Sequence, residues 1–344
     1  MRDNKYILQS ADDYERWRNE TLECMQREEY GFFPAPPKSV SAELICKERN
    51  NYCRGEAEML KMKLNCMLDT GKEFSFPFSL CIPKNGNVKH KTIVSINFHG
   101  ETPNEYYPTE EIADRGWAVA NFNYQDITSD NTKVDGLLAL LDEKNVGKIT
   151  LWAWAAMRVL DYLYTRDDID LENVAVAGHS RLGKTALLCA AYDTRFRFCH
   201  SNCSGTCGAA LFSEIDESAE SIKHIVNQFP YWFNDRFTVY KGKEKEMPFD
   251  QDMLISLIAP RYVSISSAEK DDWANPKGER ACGVKASHVW KILGESGLVI
   301  PDDIEVDMRY FSGNVGYYMR RGTHFFSRQD WNSMIDFFEL KSKV

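Results

Sequence analysis

The stretch VAVAGHSRLGKTALLCAAY, residues 174–192, constrains the fold more than any other part of this chain. A short apolar run ends in Gly178-His179-Ser180 and passes without a spacer into an apolar helix. A strand that turns straight into a helix at a serine is the context of a nucleophile elbow, where the hydroxyl stands above a sheet. So tight a turn needs a small residue two before the serine, and Gly178 is there. The next backbone N–H groups open a helix and suit a developing oxyanion. The usual pattern has a second glycine two after the serine; here Leu182 takes that place and Gly183 follows. The competing reading is an ordinary strand-to-helix turn with an inert serine.

Around this turn the chain alternates strand and helix. TIVSINFHG (92–100), WAVANFNY (117–124), FCHSNCSG (198–205), RYVSISSA (261–268) and DIEVDMRYF (303–311) read as strands. TEEIADRG (109–116) and ITLWAWAAMRVLDYLY (149–164) read as helices. Alternation of this kind predicts a mostly parallel central sheet with helices on both faces. Before it, AELICKE, EMLKMKLNCML and FSFPFSLCIP alternate apolar with polar or small residues, as half-buried antiparallel strands do. Residues 84–90, KNGNVKH, read as a turn, and residues 11–29 as a surface helix. The expectation is one domain over 1–344, with a helical extension over 1–40 and antiparallel edge strands over 41–91.

A serine elbow calls for a base and an acid later in the chain, in the order Ser, Asp or Glu, His. After Ser180 the histidines are His200, His224, His288 and His324. His324, in YYMRRGTHFFSRQDW, falls in an expected loop after the last strand and before a final helix. His200 falls in a strand, and His224 and His288 in helices. The acid belongs just after RYVSISSA, where Asp271 has the expected spacing and Glu269 and Asp272 are the alternatives. Together these features predict an α/β-hydrolase fold. Arg181 and Lys184 follow the serine by one and four positions, so Lys184 shares its helix face. Two cations at a helix N-terminus oppose the macrodipole, which suggests that they hold an anionic group or support an oxyanion. The His99-Gly100 turn is a second candidate for the oxyanion side.

At these residues the chain resembles the glucuronoyl esterases, a family of α/β-hydrolase carbohydrate esterases. The resemblance spans roughly 90–340 and is carried by GHSRLGKTAL, SNCSGTCGAAL, the run from FPYWF through LIAPRYVSISSAEKDDWANPKGE, and GYYMRRGTHFFSRQDW. It implies hydrolysis of esters joining 4-O-methylglucuronic acid on xylan to lignin alcohols. It further implies Ser180 as nucleophile, His324 as base and Arg181 as the oxyanion arginine. Lys184 matches a lysine that contacts the glucuronate, Trp273 a tryptophan that flanks the sugar, and Gln228 and Trp232 a pocket loop. Many members carry an acid where this chain has Cys203, which leaves the acid role to Asp271. An acetyl esterase acting on acetylated xylo-oligosaccharides is the alternative enzyme, and a non-catalytic carbohydrate binder the alternative class.

Net charge and composition bound the partners. A formal charge of −9 argues against general nucleic-acid binding. No run of about 18 apolar residues exists, so no membrane span is expected. No HExxH or paired CxxC spacing marks a metal, and no cofactor or obligate protein partner is expected. Gly183-Lys184-Thr185 matches the end of a phosphate-binding loop, but that role is not expected here. The N-terminal residues carry no export signal, and the ten cysteines show no disulfide framework. A cytoplasmic location is the expectation, or secretion if a leader precedes this chain.

Overall fold

The fold comes from a computed structural model, which describes residues 7–48, 52–84 and 88–342. The strands are β1 (Ser39–Lys47), β2 (Ala57–Met67), β3 (Glu73–Pro83), β4 (His90–Asn97), β5 (Ala118–Asn123), β6 (Ile169–His179), β7 (Phe198–Asn202), β8 (Tyr262–Ala268), β9 (Arg309–Tyr310) and β10 (Val315–Arg320). They form one sheet in the order β1-β2-β3-β5-β4-β6-β7-β8-β10-β9. From β5 to β10 neighbours run parallel; β1, β2, β3 and, at the far edge, β9 run antiparallel. The expected antiparallel strands therefore continue one edge of the expected parallel sheet.

Parallel strands need crossovers, and the helices supply them. These are α1 (Tyr14–Met25), α2 (Thr109–Asp114), α3 (Gly136–Leu140), α4 (Lys148–Leu163), α5 (Arg181–Tyr192), α6 (Ile222–Gln228), α7 (Gln251–Ser256), α8 (Pro276–Ile292) and α9 (Arg328–Ser342). Successive residues of the central strands feed opposite faces. Val94, Val174 and Val176 join the core beneath α4 and α5. Ile93, Ala175 and Ala177 join the core beneath α2 and α9, with Trp331 and Phe337. Such two-sided burial explains why the central strands read as continuous apolar runs.

Several expectations need correction. Residues 303–311 are not a nine-residue strand; only Arg309–Tyr310 pairs, antiparallel to β10. The last parallel strand is Val315–Arg320, inside the stretch expected to be loop. It is buried on both faces and does not alternate, so it carries no half-buried signature. β1 is not half-buried: it is a largely exposed edge strand, with Leu44 and Ile45 facing outward. The expected surface helix is amphipathic, burying Trp17, Leu22 and Met25. It then passes into a π-helical turn, Gln26–Tyr30, whose Glu28 and Glu29 are buried. Of the expected 84–90 turn, residues 85–87 lie outside the described residues.

Candidate active site

β6 is central in the sheet, and Ser180 follows it directly. The serine has φ 57° and ψ −128°, a left-handed backbone that few side chains adopt. Its N–H donates to the Asn202 carbonyl at the end of β7, 2.8 Å away, and its carbonyl accepts from Gly183 and Lys184. A Cβ on Gly178 would stand 2.1 Å from the Leu182 carbonyl oxygen, so this position is closed to every other residue. Gly183 is nearly as constrained, with Ser201 and Ser204 both 3.0 Å from its Cβ position. The displaced glycine is thus explained: position 183 faces β7, while Leu182 is fully buried in the core. The N–H groups of Arg181 and Leu182 open α5, where no intrahelical carbonyl can take them.

His324 and Asp271 come together from two loops. His324 Nδ1 donates to Asp271 Oδ2 across 2.6 Å. Asp271 is buried, whereas the imidazole keeps 39% of its surface exposed. The His324 ring lies 4.5 Å from that of His179, the residue before the serine, tilted by 43°, which seats it beside the elbow. Burial pushes His179 down to about 3, with the nearby His324 adding to the effect. Its neutral ring donates from Nδ1 to Asn202 Oδ1 at 2.6 Å. Glu269 and Asp272, the alternative acids, instead line a separate cavity of about 400 Å³ with Arg280 and Tyr317.

Arg320 sets the path of the histidine loop and was not singled out in the sequence. Its guanidinium gathers the carbonyls of Arg321, Thr323 and Phe325 around His324. Buried Asp330 holds its Nε at 2.7 Å. Two backbone bonds tie this loop to the acid loop, Glu269 to Arg320 and Lys270 to Gly322. Behind Asp271, fully buried Glu279 accepts from the N–H groups of Ser204 and Gly205 and from Ser267. Burial raises its carboxyl to about 7, and the Asp271 charge adds to the rise.

The two cations beside the serine are already compensated, which corrects the expectation of a bare cationic mouth. Arg181 pairs with Asp130 and lies 4.8 Å over the Trp232 ring. Its Nε is buried and has no partner, so one donor beside Ser180 is unspent. Lys184 is buried, bonded to the Thr206 carbonyl and, at 2.6 Å, to Glu220. Trp232 is buried too, donating to Asp130 at 2.8 Å; it supports Arg181 from below rather than lining an open pocket. Gln228 is the exposed last residue of α6, not a loop residue. Trp273 is 42% exposed and rests on His224, while its carbonyl takes the Glu220 N–H at 2.9 Å. Asn121 Nδ2 donates to the His99 carbonyl at 3.2 Å, and the His99 ring stacks on Tyr106.

A phosphate loop and a metal site, neither of them expected, fare differently in the fold. GHSRLGKT, residues 178–185, has the complete G-x-x-x-x-G-K-T spacing of a phosphate loop, Gly178 included. The fold excludes that use, because the segment is an elbow and Lys184 is turned inward onto Glu220. No sequence spacing marked a metal site, yet Cys203, Asp271 and His324 converge from three separate loops.

A serine on a strained strand-to-helix turn, with a histidine and a paired aspartate at the ends of parallel strands, defines an α/β-hydrolase. Residues 66–294 match the family model described as glucuronyl esterase, fungi, and the chain belongs to that family. A glucuronoyl esterase from Solibacter usitatus superposes with a TM-score of 0.87 at 28% identity, covering 96% of this chain and 94% of that one. A promiscuous CE15 esterase from a marine bacterial metagenome gives 0.86 at 29% identity, covering 98% and 96%. A carbohydrate esterase from an unknown prokaryotic organism is 40% identical over 237 residues, 66% of this chain and 54% of that protein. The 4-O-methyl-glucuronoyl methylesterase of Hypocrea jecorina is 28% identical over 300 residues, 83% of this chain and 60% of that protein. This chain thus spans little more than half the length of these two relatives. Among the described residues, no helix is long and apolar enough to cross a membrane.

Proposed function

We propose that this chain is a serine esterase that hydrolyses esters of hexuronic acids, 4-O-methyl-glucuronoyl esters of xylan with lignin-type alcohols being the substrate class. The observation that carries the reading is the 2.6 Å His324–Asp271 bond beside an elbow serine. Ser180 Oγ attacks the ester carbonyl while His324 Nε2 takes its proton. Asp271 holds the ring through Nδ1–H and stabilises the imidazolium. The oxyanion draws on the N–H groups that open α5 and on the unspent Arg181 Nε. Collapse expels the alcohol with the proton from His324, and water then releases the uronate by the same steps.

Charge supports this substrate class in a way that unpaired cations would not. A uronate ester is neutral until it is cleaved, so its binding needs no unpaired cation. The buried Lys184–Glu220 pair braces the segment behind Trp273, whose open face lets an apolar sugar face stack. The anionic product gains less from cations already neutralised, which favours its release.

The test is hydrolysis of benzyl and methyl glucuronate esters against acetylated xylo-oligosaccharides, with Ser180→Ala as the blank. A wild-type rate on uronate esters no greater than that of the blank would sink the reading. A preference for the acetylated sugar, unchanged in Lys184→Ala, would select the acetyl esterase instead.

A further inference from the structure

Cys203 has no part in the chemistry above, yet it stands against the acid and the base. It follows β7 with a left-handed backbone, φ 45°, and is 1% exposed. Its sulfur, a carboxylate oxygen of Asp271 and a ring nitrogen of His324 all lie within 4.8 Å of one another. Thiolate, imidazole and carboxylate are the ligands that Zn²⁺ takes, at about 2.3, 2.0 and 2.1 Å. Tetrahedral bonds of those lengths separate ligand atoms by roughly 3.3–3.7 Å. Shifts on the order of 1 Å in the side chains therefore close the three around one ion.

The surroundings suit a cation. Glu279, Asp271 and Asp330 act on the Cys203 sulfur as negative charges, with Arg320 opposing them. Burial above all, with these charges adding to it, holds the thiol well above its ordinary range, so it stays protonated until a metal replaces the proton. The half-exposed imidazole of His324 offers the way in.

We propose that Cys203, Asp271 and His324 form a binding site for a thiophilic divalent cation of the Zn²⁺ type, and that filling it switches the hydrolase off. Binding forms the sulfur–metal bond and releases the thiol proton to solvent. The imidazole ligates through Nδ1, and the proton it held there passes to Nε2. An Nε2–H cannot accept the Ser180 proton, and the Nδ1–H bond to Asp271 is gone. The cation with one thiolate and one carboxylate is neutral overall, which lowers the cost of holding it in a buried place. Water fills the fourth position. The inhibitory half rests on His324 as base; the site itself does not.

Titration of the purified chain with Co²⁺ tests the site without using activity. A thiolate-to-cobalt charge-transfer band in the near ultraviolet should grow to one equivalent in the wild type. It should be missing in Cys203→Ser and Cys203→Ala, both of which keep nine other thiols; a folded circular-dichroism spectrum in either suffices. No band in the wild type, or an equal band in a folded variant, overturns the site. Zn²⁺ should block phosphonate labelling of Ser180 in the wild type, with at least a tenfold higher concentration needed in the variants. Equal block in both overturns the inhibition. A serine that never labels refutes the hydrolase reading, while the cobalt band still decides the metal site.

Discussion

Single side chains here are held by partners that a sequence pattern does not reveal. Asp271 fixes the His324 tautomer, so Asp271→Asn should lower kcat by about 10⁴-fold with folding intact, read by steady-state kinetics on a uronate ester. Lys184 is a buried partner before it is a substrate ligand. Lys184→Met strands the Glu220 carboxylate and should cost about 3–5 kcal/mol in urea unfolding. Adding Glu220→Gln should recover much of that loss; if the double variant is as unstable as the single, the pair is not what stabilises the region. Asp130 and Glu220 lie in stretches with no motif, and Glu279 and Arg320 lie in runs whose pattern assigns them no role, so nothing in one dimension ties them to the elbow. Ser180, His324 and Asp271 were legible because chain order and strand ends restrict where such groups can stand.

Among the elements, the β6–α5 elbow has the least freedom. Gly178→Ala sets a Cβ at 2.1 Å from a backbone carbonyl that cannot move without unwinding α5. The variant should lose more than about 4 kcal/mol or fail to accumulate as soluble protein, read by expression and thermal melting. Strands β2 to β8 and the long helices were legible because burial on one or both faces sets their apolar spacing. β10 was not. It lies between β8 and β9, and Gly316 there meets the Phe337 ring at 2.9 Å from its Cβ position. A short, doubly buried strand with a glycine and two tyrosines looks like a loop, whereas the alternating DIEVDMRY looks like a strand and mostly is not. Alternation reports one-sided burial, and pairing partners decide the rest.

At the scale of the whole molecule, buried ionisable groups set the response to pH. Burial holds His179 and His200 down to about 3 from 6.5, so below pH 6.5 the unfolded chain takes up protons that the native state refuses. Burial raises Glu279 to about 7 and Glu29 to about 8 from 4.5, so above pH 4.5 the native state keeps protons that the unfolded chain releases. From these four groups, the effects cancel between pH 4.5 and 6.5. Below 4.5 the histidines make stability fall with falling pH; above 6.5 the two acids make it fall with rising pH. Urea midpoints should form a plateau over 4.5–6.5, then drop on the order of 3 kcal/mol by pH 8. Glu29→Gln with Glu279→Gln should abolish the alkaline drop, and an unchanged drop would remove these acids as its cause. We propose a single folding unit, since one sheet joins the N-terminal strands to the site. One calorimetric transition, with equal van't Hoff and calorimetric enthalpies, is the expected result; two resolved transitions would divide it.

The eight indoles are unevenly shared with water. Seven are at most 5% exposed, and Trp273 alone, at 42%, opens to solvent. Under indole excitation, collisional quenchers such as iodide reach one tryptophan in this molecule, at the position where a sugar is proposed to lie. The quenchable fraction of its emission is therefore a built-in optical gauge of occupancy. It reads binding in a Ser180→Ala variant that turns nothing over, with no label attached.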